Sequence, residues 1–119
     1  MVPDNHPLKK HAGKLQALIT AAEFTDGQGK AMPYADGFEK NLNLLKDAEK
    51  QNTCVFLVGN GGSASIVSHI SNDFVNVAKI RAFTLHESSM LTCMSNDYGY
   101  ENVYYKPLAT FAQKNDILI

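Results

Sequence analysis

The run Cys54-Val55-Phe56-Leu57-Val58 passes straight into Gly59-Asn60-Gly61-Gly62-Ser63-Ala64-Ser65. An apolar run without alternation suits a strand covered on both faces, as in a parallel sheet. Three glycines in four positions carry a heavy backbone-entropy cost, so something requires bare backbone just after that strand. A buried strand, a glycine turn and a helix open a βαβ unit, and the rest of the chain has to be compatible with one.

The pattern downstream is compatible. A helix is expected from about Ser63 to Val77 and a second strand from Arg81 to Leu85. His86-Glu87-Ser88-Ser89 reads as a loop with a helix cap, leading into Met90-Leu91-Thr92-Cys93-Met94. Ser95-Asn96-Asp97-Tyr98-Gly99-Tyr100 is expected to break that helix, and an amphipathic segment from Val103 to Phe111 follows. Asp116-Ile117-Leu118-Ile119 reads as a turn residue and the start of a buried strand, which is expected of the first part of a longer protein. Strand, helix, strand, helix, strand implies a parallel sheet with right-handed crossovers. Upstream, Leu8, Ala12, Leu15, Leu18, Ile19 and Ala22 recur at helical spacing, and so do Phe38, Leu42, Leu45 and Ala48. Two amphipathic helices are therefore expected, from Pro7 to Ala22 and from about Tyr34 to Lys50. Thr25 to Pro33 between them has the composition of a loop. The first helix reads as scaffold or as a surface for another subunit, and Lys9, Lys10 and Lys14 as its solvated face.

Composition narrows the function classes. A formal net charge of -1 with 19% charged residues offers no footprint for nucleic acid. No apolar run is long enough to span a bilayer and no signal-peptide core stands at the N-terminus, so a soluble cytoplasmic protein is expected. Cys54 and Cys93 lie in apolar surroundings and read as reduced core thiols.

In an open α/β sheet, ligands bind beyond the carboxyl ends of the strands, where the Gly59–Ser65 loop would lie. Backbone amides at a helix N-terminus favour an anion, and Ser63 and Ser65 add hydroxyl donors, so a phosphate is the expected occupant. No lysine follows the glycines, which argues against a P-loop and nucleotide hydrolysis. Gly59, Gly61 and Ala64 do fit a dinucleotide pattern, with Glu87 placed to accept a ribose hydroxyl. The loop alone leaves dinucleotide and sugar phosphate both open. His69 and Asp73 are four apart and share a helix face, a spacing that serves metal binding, acid–base work or an ordinary surface pair.

The loop, His69 and the segment Ser95-Asn96-Asp97-Tyr98-Gly99-Tyr100-Glu101 together resemble the sugar isomerase (SIS) domain family, in its phosphoheptose isomerase branch. The resemblance runs from about Tyr34 to Ile119. It implies an α/β fold: a three-layer αβα sandwich with a parallel, flavodoxin-like sheet, preceded by N-terminal helices. Residues 1–33 would form an N-terminal helix and linker, and residues 34–119 the N-terminal part of a SIS domain. The implied activity is aldose–ketose isomerisation, such as that of sedoheptulose 7-phosphate to D-glycero-D-manno-heptose 7-phosphate for lipopolysaccharide or capsule synthesis. A homotetramer with sites between subunits is implied too. Asn60, Gly61, Gly62 and Ser63 would contact the sugar phosphate, and Asn96 and Asp97 would approach the substrate. His69 corresponds to a zinc ligand, and Asp73 to a glutamate that shares metal binding and proton transfer. No nucleotide is implied.

Two positions depart from the family pattern. Asp73 is one methylene shorter than the usual glutamate, and Ile66 stands where an acidic residue is usual. These departures keep a second reading open, a non-catalytic SIS module that binds a phosphosugar or a protein partner. Glu87 and Ser88, at the end of the second strand, are secondary candidates for substrate contact. Tyr98, Tyr100, Tyr104 and Tyr105 could stack on a sugar but read more simply as core or subunit interface. His6, His11 and His86 read as solvent-facing, and Met90 and Met94 as core.

Overall fold

The computed structural model describes residues 3–119. The chain divides into two compact units, Met1–Leu42 and Asn43–Ile119.

In the first unit, α1 spans Pro7–Thr20, with proline in its first turn and the His6 ring accepting from the Leu8 amide as a cap. The apolar stripe is present, yet no residue of α1 is buried. The expected loop between the helices contains a small antiparallel hairpin, β1 (Phe24–Thr25) and β2 (Ala31–Met32). Its turn is closed by the Asp26 carboxylate, which accepts from the Gln28 and Lys30 amides at 2.9 Å each. Those bonds hold the Asp26 carboxyl below its ordinary pKa. Helix α2 (Tyr34–Gln51) follows.

The second unit carries the parallel sheet. Strand β3 (Cys54–Leu57) is buried at every position. It is followed by α3 (Gly62–Asn76), β4 (Arg81–Thr84), α4 (Ser88–Tyr98), a 3-10 turn at Tyr100–Asn102, α5 (Tyr105–Phe111) and β5 (Ile117–Leu118). Strand β3 lies in the centre, paired in parallel with β4 (Val55 opposite Ala82) and with β5 (Val55 opposite Ile117). Alternate residues of β3 serve different cores, because side chains alternate across a strand. Val55 and Leu57 join Ala48, Ile80 and Ala82, with Leu45, Val67, Ile70 and Phe74 packed on them from α2 and α3. Cys54 and Phe56 join Leu85, covered by Met90, Tyr104 and Leu108. Helices on both faces of a parallel sheet make the expected three layers.

Helix α4 is longer than the sequence suggested. Ser95, Asn96, Asp97 and Tyr98 are helical, and Gly99, at φ 84°, ends the helix. Both cysteines are free, as expected, but only Cys54 is buried; Cys93 is exposed on α4, because helical phase turns it away from its apolar neighbours. Burial pushes the Cys54 thiol up, and the nearby Asp116 carboxylate adds to the effect. No helix among the described residues is long and apolar enough to cross a membrane.

Candidate functional site

The chain leaves β3, enters α3, forms β4 on one side, then crosses back to place β5 on the other side of β3. The carboxyl end of β3 therefore opens at the point where strand order reverses, the usual ligand crevice of such sheets. The glycine loop occupies that point, and its glycines differ in purpose. A Cβ on Gly59 would meet the Ser63 carbonyl carbon at 2.7 Å and the Ala64 nitrogen at 2.8 Å, so Gly59 lets the loop press against the first turn of α3. Gly61 caps α3 at φ 58°, ψ -123°, a conformation that side chains disfavour. Gly62 has neither constraint: a Cβ there would meet nothing within 4 Å. Within the chain, Gly62 is bare for no internal reason.

The loop is shaped by turn bonds from Ser63 N–H to the Asn60 carbonyl (3.2 Å) and from Ala64 N–H to the Gly61 carbonyl (3.1 Å). The amides of Gly61 and Gly62 find no backbone acceptor among the described residues. Free amides at the N-terminus of a 15-residue helix are suited to an anion.

Two tyrosines brace the loop from across the fold. Tyr104 donates its hydroxyl to the Gly59 carbonyl at 2.6 Å, and Tyr100 donates to Asn60 Oδ1 at 3.0 Å. Neither contact is visible in the sequence, where the partners stand 45 and 40 residues apart. The Tyr-Gly-Tyr spelling was the available signal, since Gly99 turns the chain just before Tyr100. Tyr100 and Asn96 also line an open depression of about 520 Å³ with Ser88, Leu91, Thr92 and Ser95. The structure thus brings Asn60, on the glycine loop, and Asn96, on α4, to a common neighbour. Asp97 lies in the last turn of α4, accepting from Asn96 Nδ2 at 3.0 Å and from the Cys93 thiol at 3.5 Å. That bond, together with the carboxylate's charge, raises the Cys93 pKa. Tyr98 lies under the Lys106 ammonium, 4.3 Å from the ring centre, and Tyr105 is exposed.

His69 and Asp73 lie on an exposed face of α3, with Nε2 and Oδ2 3.7 Å apart. One imidazole and one carboxylate are the right donors for zinc, but a catalytic zinc takes three protein ligands. No group of three or more His, Cys, Asp or Glu side chains converges among the described residues. The pair fits as part of a zinc site and not as a whole one.

Two expectations change. His86 is not solvent-facing: its Nε2 lies 2.7 Å from Ser68 Oγ on α3, and its Nδ1 is buried without a partner. Glu87 is not free to hold a ribose. Its carboxylate caps α4, accepting from the Ser89 amide (3.1 Å), the Met90 amide (2.9 Å) and the Ser89 hydroxyl (2.5 Å). These donors, the Ser89 hydroxyl foremost, hold Glu87 at a pKa of about 2, below the ordinary 4.5. A depressed carboxylate stabilises the fold above its unfolded pKa and loses that contribution as pH falls through the folded value. The melting-temperature gap between wild type and Glu87→Ala will be full above pH 4.5 and will close as pH falls toward about 2; thermal denaturation monitored by circular dichroism across that range checks it.

The sequence matches the SIS domain family over residues 30–119. The chain belongs to the SIS domain family. It is 32% identical over 115 residues to the phosphoheptose isomerase of Clostridium acetobutylicum, covering 89% of this chain and 56% of that one. It is 36% identical over 87 residues to phosphoheptose isomerase 2 of Campylobacter jejuni, covering 66% and 42%. The solved structure of phosphoheptose isomerase GmhA from Neisseria gonorrhoeae shares the fold of this SIS domain, with a TM-score of 0.64 at 21% identity over 95% of this chain and 59% of that one. The chain spans little more than half the length of the curated relatives it matches over most of its own length.

Proposed function

We propose that this SIS domain binds a phosphorylated sugar at the Gly59–Ser65 loop and serves an aldose–ketose isomerase acting on sedoheptulose 7-phosphate, giving D-glycero-D-manno-heptose 7-phosphate. The observation that carries the reading is the loop itself, with unpaired amides of Gly61 and Gly62 at the N-terminus of α3 and Asn60 tied to Tyr100 beside Asn96. The names of the relatives supply the substrate class. In this reading Gly61, Gly62 and Ser63 hold the phosphate, while Asn60, Asn96 and Asp97 meet the sugar hydroxyls. Residues 1–33 are an appended helix and linker, and residues 34–119 are the N-terminal part of the domain.

The isomerisation moves one proton between neighbouring carbons. Asp73 removes the proton alpha to the carbonyl, an enediol forms, and the proton returns on the adjacent carbon. His69, four residues earlier on the same face, is the metal-binding or acid partner of Asp73. Zinc, with His69 and Asp73 as two of its ligands, would polarise the carbonyl as a Lewis acid. Its remaining ligands must come from outside the described residues or from a second copy. The exposed apolar stripe of α1 supports assembly as a homo-oligomer, a tetramer in this proposal, and the cytoplasm and heptose synthesis for lipopolysaccharide are the setting.

Isomerisation is tested by incubating the natural full-length protein with sedoheptulose 7-phosphate, with and without zinc, and following the sugar by NMR. Appearance of the aldose is expected. The second reading, a non-catalytic phosphosugar module, is favoured by Asp73 being a methylene short and by Ile66 standing exposed on the early turns of α3. It expects thermal stabilisation by the sugar phosphate with no turnover.

A further inference from the structure

We infer that Tyr100 and Tyr104 are positioning residues that hold the glycine loop and its Asn60 side chain in place for the ligand. The inference rests on the sugar-phosphate reading of that loop. An asparagine amide can present either its carbonyl oxygen or its NH2 group, and the two are nearly the same shape. Whichever end it presents, the Asn60 side chain is held in place by a neighbour 40 residues away. The Tyr100 hydroxyl donates to Oδ1 at 3.0 Å, so the oxygen is engaged and the NH2 group remains to donate; no partner for it is found among the described residues. Asn60 then adds a donor to the free amides of Gly61 and Gly62, and all three favour an acceptor-rich ligand.

Tyr104 fixes the loop that carries this amide. Its ring packs on the cluster of Cys54, Phe56 and Leu85, which holds the hydroxyl at 2.6 Å from the Gly59 carbonyl. Gly59 in turn presses on the Ser63–Ala64 backbone, so the tether reaches the first turn of α3. Both tyrosines come from the stretch just after Asn96 and Asp97. Gly99, at φ 84°, turns the chain there. The segment that carries Asn96 and Asp97 thus also holds the glycine loop.

The test uses the natural full-length chain as wild type, Tyr100→Phe, Tyr104→Phe, Asn60→Ala and the double variant Tyr100→Phe/Asn60→Ala. Calorimetric titration with sedoheptulose 7-phosphate, and with inorganic phosphate as a second probe, gives affinities; thermal melts give the folded fraction. Each Tyr→Phe change removes one hydroxyl and is expected to weaken sugar-phosphate binding roughly three- to tenfold, the size of one hydrogen bond, while the protein stays folded. Tyr100→Phe is expected to cause no further loss on the Asn60→Ala background, because the hydroxyl acts through that amide. Wild-type affinity in Tyr100→Phe, or a full additional loss in the double variant, overturns the inference and leaves the sugar-phosphate reading intact. A loss matched by a fall in folded fraction overturns it too. Failure of the wild type to bind either probe removes the reading and this inference together.

Discussion

Gly62→Ala will leave the domain as stable as wild type and weaken sugar-phosphate binding at least tenfold, whereas Gly59→Ala will destabilise the fold itself. The two glycines are three residues apart and look alike in the sequence, yet their surroundings oppose each other. At position 62 an added Cβ meets nothing within 4 Å and the backbone is already helical, so folding changes by no more than about 0.5 kcal/mol. The methyl group would stand in open space on the loop that carries the free amides, where the proposed phosphate binds. At position 59 the Cβ would stand 2.7 Å from the backbone of Ser63, and backbone cannot swing aside as a flexible side chain can. Forcing the turn apart should cost about 1–3 kcal/mol, the usual penalty of overpacking. Urea unfolding and phosphate titration of the two variants check both halves. Undiminished phosphate affinity in Gly62→Ala would mean that the open space at Gly62 is not a ligand site, and equal stability losses that Gly62 is held by the fold as Gly59 is.

With Asp73 as the proposed base, Asp73→Asn is expected to lower turnover roughly 10²–10⁴-fold while sugar-phosphate affinity and stability stay near wild type. Asparagine keeps the shape and removes the base, and a positioned general base contributes roughly 10²–10⁴-fold to rate. Little structural loss is expected, since Asp73 is exposed and its one ion-pair partner among the described residues, His69, lies 3.7 Å away on the same exposed face. Asp73→Glu is the informative companion. It restores the methylene by which this chain departs from the isomerase pattern, and should retain or raise the rate if reach limits proton transfer. Single-turnover NMR on the three proteins decides the matter. Undiminished turnover in Asp73→Asn would remove this residue from the chemistry.

What could be read in advance follows from the range of each interaction. Strand β3 was legible because Cys54 to Leu57 are buried on both faces and apolar throughout. The loop and α3 were legible because glycines and helical periodicity are local signals. The hairpin at Phe24–Thr25 and Ala31–Met32 was not, because two-residue strands are shorter than any alternation pattern. The end of α4 was misplaced for a related reason. Ser95, Asn96 and Asp97 are weak helix formers, but propensity yields to the packed helix, and Gly99 supplies the actual stop. At the site, the His69–Asp73 pair was visible as helical spacing. The Ser68–His86 contact and the two tyrosine tethers were invisible, since each joins groups 18 to 45 residues apart. The capping role of Glu87 was visible as sequence, yet its carboxylate could not be told from a free ribose acceptor until its donors were in view.

In the proposed reading the phosphate of the sugar is received at the glycine loop. A second cavity of about 420 Å³ lies along the sheet face that carries Cys54, Phe56 and Phe83, and is lined also by Arg81, Phe111 and Asp116. It offers a built-in comparison. Titration of isotope-labelled natural protein with sedoheptulose 7-phosphate, followed by amide NMR, separates the two places directly. Saturable shifts centred on the Gly61, Gly62 and Ser63 amides and the Asn60 side chain are the expected result. Shifts confined to Arg81, Phe83 and Phe111, or no saturable shifts at all, would contradict the account.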